Sequence, residues 1–180
     1  MKKIMCLCIL SILLWSCGAE SQEGQTKKYF DLKGLIEQQI VLLKTKKPVI
    51  EKTIVMSDKS ENKQIKAIDW TRELELFTQA DLNKPAYIGS YQVDSSAIGV
   101  KYTLKTTENL PIKFLNITKI GENAMEIEAL VSSENYLYQS EKHLKLGLAK
   151  MLITDYQIDG FQKVIFGAKK AFKINGKVAR

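Results

Sequence analysis

The stretch AMEIEALVSSENYLYQSEKHLKLGLAKMLITDYQIDG, residues 124–160, decides the fold. Met125, Ile127, Ala129 and Val131 alternate with Glu126 and Glu128, the period-two pattern of a strand with one buried and one solvated face. Ser132 to Asn135 reads as a turn. Tyr136, Tyr138, Leu144, Leu146 and Leu148 then share one parity, and Leu152, Thr154, Tyr156 and Ile158 continue it. Asp159-Gly160 reads as a tight hairpin, Phe161 to Phe166 as the returning strand and Ala171 to Val178 as a last short one. Connections this short force antiparallel pairing, because a parallel crossover needs a dozen or more residues.

Upstream, Pro111 to Ile120 reads as another strand, and Ile98, Val100, Tyr102 and Leu104 share one face of a strand reaching back toward Tyr91. Val49 to Met56 and Gln64 to Ile68 read as a hairpin around the polar turn Ser57 to Asn62. Two helices precede the meander. Asp31 can cap a helix whose Leu32, Leu35, Ile36, Ile40 and Leu43 recur at steps of three and four, and Pro48 bounds it. A second helix is expected to open near Asp69 or Thr71 and run through Trp70, Leu74 and Phe77 until Asn83, Lys84 and Pro85 break it. The expected architecture is α+β: an antiparallel meander sheet, twisted or half-barrel, packed against two N-terminal helices that cover its apolar face.

The first residues form a different kind of unit. Lys2 and Lys3 supply charge, Ile4 to Trp15 is almost wholly apolar, and Ser16-Cys17-Gly18 is small, the layout of a secretory signal peptide. The apolar run is shorter than the roughly 20 residues a spanning helix needs. Leu14-Trp15-Ser16-Cys17 resembles the lipobox of bacterial lipoproteins, with Leu14, Ser16 and Cys17 matching and Trp15 standing where the family usually has a small or β-branched residue. The resemblance implies cleavage before Cys17, acylation of its thiol with palmitate-type chains, and anchoring to a membrane of the cell envelope. In Gram-negative members of that family an Asp after the cysteine resembles an inner-membrane retention signal, so with Gly18 at that position the resemblance implies the outer membrane.

The chain then divides into a signal peptide at 1–16, a lipidated cysteine and flexible tether at 17–28, and a single domain at 29–180. Cys6 and Cys8 leave with the leader, so Cys17 is the sole mature sulfhydryl, and acylation would occupy it. Removing Lys2 and Lys3 lowers the formal charge from +7 to +5, modest enough to suit an anionic neighbour without requiring one. No nucleic-acid motif accompanies that charge.

Catalytic sets are hard to assemble. His143 is the only histidine, and Ser140 lies an odd number of strand residues away, on the opposite face. Glu126 and Glu128 stand side by side on one strand face instead of flanking a substrate from opposing sides. No phosphate loop, paired-cysteine motif or calcium loop occurs, so no metal and no cofactor beyond the covalent lipid on Cys17 is expected. Lys163, Lys169, Lys170, Lys173, Lys177 and Arg180 occur without an intervening acid. They read either as a surface for an anionic partner or, preferred here, as lysines that keep an edge strand from aggregating. Tyr91, Tyr102, Tyr136, Tyr138, Tyr156, Phe161, Phe166 and Phe172 lie among the strands, as core or as the lining of a concave face. The expected function is non-enzymatic binding or scaffolding at a membrane surface, for an envelope protein partner. The alternatives are a carrier of a lipid or other hydrophobic ligand, and an enzyme acting on envelope glycans.

Overall fold

The computed structural model describes residues 27–57 and 59–179. Cys17, the leader and most of the tether lie outside them, as does Arg180. Within them the fold is the expected α+β arrangement: a nine-stranded, wholly antiparallel, open sheet with helices on one face.

Helix α1, Leu32–Lys46, starts where the Asp31 carboxylate accepts a bond from the Gly34 N–H at 2.9 Å. It stops at Lys47, which turns left-handed (φ 46°) so that its N–H can bond Leu43 O. The apolar stripe Leu32, Ile36, Ile40 and Leu43 is buried. Strand β1, Ile50–Met56, and strand β2, Lys59–Ile65, form the first hairpin. The turn was expected at Ser57 to Asn62 and the second strand at Gln64 to Ile68; instead the strand is Lys59–Ile65, and residues 59–62 belong to it. Their side chains are exposed, so backbone pairing alone holds them, a state that side-chain periodicity does not encode.

The expected second helix is two short ones, α2 at Trp70–Glu73 and α3 at Glu75–Gln79, followed by a 3₁₀ turn at Pro85–Tyr87. Asp69 caps α2 through the Thr71 and Arg72 N–H groups. The break falls at Leu74 (φ −100°, ψ 7°), yet Trp70, Leu74 and Phe77 are all buried as the spacing predicts. Tertiary packing outweighs local helix preference here.

The remaining strands are β3 Tyr91–Ser96, β4 Gly99–Leu104, β5 Ile112–Ile120, β6 Ala124–Glu134, β7 Tyr138–Ala149, β8 Leu152–Val164 and β9 Lys170–Val178. They follow one another as a meander, and the β1–β2 hairpin adds to its far side, giving the order β2-β1-β9-β8-β7-β6-β5-β4-β3. Ile127, Ala129, Leu144, Leu146, Tyr156 and Ile158 point from the central strands into one core with the helix stripe. A register shift at Gly147/Leu148 places Ile153, rather than Leu152 and Thr154, in that core.

Asp159-Gly160 is not a hairpin. β8 runs straight through it, and the chain reverses only after Val164. A Cβ on Gly160 would stand 2.0 Å from Glu141 O, so the glycine serves close backbone approach. Gly176 serves the same end: it lies inside β9, and a Cβ there would stand 2.2 Å from the Tyr156 ring.

Candidate functional site

The cleft with the clearest apolar character opens at the end of the sheet where β7 turns into β8. It has a volume of about 620 Å³ and lies between the last turn of α1 and the ends of the strands. Leu43, Pro48, Val49, Leu152, Ile153 and Val178 contribute apolar lining, and the exposed Lys46 and Lys150 add two cations. Its size falls in the range of small-molecule sites, which are mostly apolar with a few charged or polar groups.

Several local features shape it. Lys150 and Met151 both take left-handed backbone (φ 52° and 59°), the conformation a two-residue hairpin turn demands at both central positions. Lys150 N–H donates to Asn123 O at 2.7 Å. Gln39, buried in the apolar stripe of α1, donates through Nε2 to Met151 O at 3.0 Å and accepts at Oε1 from the Ile153 N–H at 3.0 Å. The helix is thereby clamped to the strand turn that forms one wall. On the opposite wall, Ala179 N–H bonds Val49 O at 2.8 Å. None of the cleft residues stood out as a site in the sequence, because three separated segments supply them.

The lysines that did stand out are not gathered into one patch. β9 lies third from the sheet edge, between β8 and β1, so its lysines protect no edge. That role falls to β2, where Lys59, Glu61 and Lys63 are exposed. Lys173 stands opposite Asp159 of β8, and Lys177 stands opposite Asp155 of β8 and Glu51 of β1, so acids on the neighbouring strands face both. Lys163, Lys169 and Lys170 lie toward the other end of the sheet, where Lys169 Nζ sits 3.6 Å from the centre of the Phe161 ring.

Ser140 is buried, whereas His143 lies on the face away from the helices, opposite Asp159 and edge-on to Phe114 at 6.4 Å. The Lys145 ammonium approaches both glutamates, 2.7 Å from Glu128 and 3.7 Å from Glu126. Its hydrogen bond to Glu128, supported by Asn116 and opposed by burial, holds that carboxyl below its ordinary value. A depressed carboxylate adds stability that is complete above its unfolded pKa and lost as pH falls through the folded one. Lys145→Met should therefore raise the Glu128 pKa toward 4.5 in a carbon-13 NMR titration and weaken the pH dependence of stability below that point. A Glu128 that stayed depressed in the variant would mean that Lys145 is not the cause.

Tyr91, Tyr102 and Tyr156 are core residues, while Tyr136 and Phe166 project into solvent. Among the described residues no group of three or more His, Cys, Asp or Glu is placed to hold a metal ion, and no helix is long and apolar enough to cross a membrane. Compared with family models, curated proteins and solved structures, the chain matches none of them.

Proposed function

We propose that this chain is a non-enzymatic envelope lipoprotein, processed before Cys17 and acylated there, that holds a hydrophobic ligand at the outer membrane. The leader and the Leu14-Trp15-Ser16-Cys17 sequence support the anchor. The cleft carries the binding role. Its apolar lining suits an alkyl chain, and Lys46 and Lys150 supply the charge for an anionic head. The ligand class that follows is a single-chain anionic amphiphile.

The test uses palmitate as probe, read by displacement of anilinonaphthalene sulfonate. Saturable displacement is expected for the parent chain. Val49→Trp, which fills the cleft, should abolish it, and Lys46→Glu with Lys150→Glu should weaken palmitate by about tenfold or more, since like charges at a contact are repulsive. The same charge reversal should leave an uncharged long-chain alcohol unaffected. Unsaturable binding, or variants that bind palmitate as the parent does, would dismiss the cleft as the site. The anchor is read separately, by mass analysis of the membrane-derived protein: an unmodified thiol, or a first residue other than Cys17, overturns it.

A further inference from the structure

We propose that the sheet end opposite the cleft is a docking tip for an anionic lipid surface, built from the β6–β7 and β8–β9 turns; the inference extends the membrane-surface reading above but needs no acylation of Cys17. The two turns lie side by side: Tyr138 pairs with Val164, and the Ile165 N–H donates to Leu137 O at 3.0 Å. Together they expose Tyr136 (86%), Leu137 (61%), Val164 (55%), Ile165 (40%) and Phe166 (97%). Single exposed apolar residues are ordinary, whereas a contiguous set on two adjoining turns marks an interaction surface.

The projection is built into the turns. Asn135 Oδ1 accepts from the N–H groups of both Leu137 and Tyr138 at 2.9 Å, tying the chain on either side of Tyr136. Gly167 N–H bonds Val164 O at 2.9 Å and closes the turn that carries Phe166.

Charge and chain direction select the occupant. Lys163, Lys169 and Lys170 flank the apolar set; Glu134 on β6 and the exposed Glu141 on β7, opposite Phe161, are opposing acids, and residues 161–180 contain none. Aromatic tips ringed by lysine match the layered chemistry of a bilayer interface, where apolar groups enter the acyl boundary and lysine stays at anionic headgroups. The start of α1 lies at this same end. Tyr29 packs edge-on against Tyr91 and Tyr102, 5.8 and 5.4 Å between ring centres, beside the start of β3 and the end of β4. The chain from Lys27 back to Cys17 spans at most about 35 Å, and β4 lies only about 10–15 Å across the sheet from β6 and β7 at 4.7–4.9 Å per strand. A lipid on Cys17 and the two tips can therefore reach one bilayer together.

The experiment uses the chain from residue 18 onward, without leader or lipid; among the described residues the buried core begins at Tyr29, and the parent for every comparison is this same chain. It should cosediment with phosphatidylglycerol–phosphatidylcholine vesicles more strongly than with phosphatidylcholine alone. Tyr136→Ser with Phe166→Ser should weaken binding at least about tenfold on the mixed vesicles. Lys163→Gln, Lys169→Gln and Lys170→Gln together should remove the preference for the anionic lipid, at about fivefold per lysine. All variants should keep the parent melting temperature, since these side chains are exposed. Absence of vesicle binding, equal binding by the Tyr136/Phe166 variant, or a concentration-dependent dimer lost in that variant would overturn the proposal, the last by assigning the patch to a second copy of the chain. An unmodified Cys17 would leave these vesicle results untouched, so the two readings fail separately.

Discussion

Glu73→Leu is expected to destabilise the fold by about 3 kcal/mol, the lower end of the cost of breaking a buried ion pair. Glu73 closes α2, where one carboxylate oxygen receives both the Lys52 ammonium, at 2.5 Å, and the Tyr156 hydroxyl. Lys52 comes from β1 and Tyr156 from β8, so the group ties the helical layer to two separate strands. The side chains of Lys52 and Glu73 are only 15% and 13% exposed, so water replaces little of what leucine removes. Burial, reinforced by the Glu73 hydrogen bond and charge, pushes the Tyr156 phenol far above its ordinary value, so the hydroxyl remains a donor at any working pH. For a domain of this size the midpoint of thermal unfolding should fall by about 6–12 °C. Lys52→Met added to Glu73→Leu should recover a large part of the loss, because an apolar pair of similar volume often replaces a buried ion pair without penalty. A single variant melting within about 2 °C of the parent, or a double variant no better than the single, would refute this account.

Gln39→Leu should cost about 2–3 kcal/mol despite similar size and greater hydrophobicity. The leucine leaves the Ile153 N–H and the Met151 carbonyl without their side-chain partners, each worth about 1–3 kcal/mol when stranded away from water, less what the extra apolar contact returns. The effect should be local as well as global. Amide exchange at Ile153 should accelerate far more than at Leu144 or Leu146, which keep their strand partners. Unchanged exchange at Ile153 would show that water substitutes for the glutamine.

These two clusters also show where the sequence was legible. The parities of β6 and β7 could be read because one face of each is buried, which makes a one-residue slip costly. The same parity failed for Leu152 and Thr154, since the irregularity at Gly147/Leu148 shifts the alternation and depends on the neighbouring strand. Gln39 was hidden inside an otherwise apolar stripe; its partners lie more than a hundred residues away and carry no local signal. Gly160 looked like a turn residue because glycine serves both tight turns and close approach, and only the three-dimensional neighbour separates the two. The addition of the β1–β2 hairpin beside β9 is likewise a long-range event. On the surface, the lysines of β9 were visible, but the acids that face them are on other strands.

β8, thirteen residues long, runs from the cleft mouth to the opposite turn, a span of about 40 Å at 3.2–3.4 Å per residue. Were the proposed tips seated at lipid headgroups, the cleft would open on the side away from that bilayer. A ligand leaving the mouth would then have no lateral path into that leaflet. It would have to cross water or pass to whatever faces the protein from the far side, because the cleft and the tip sit at opposite ends of one strand.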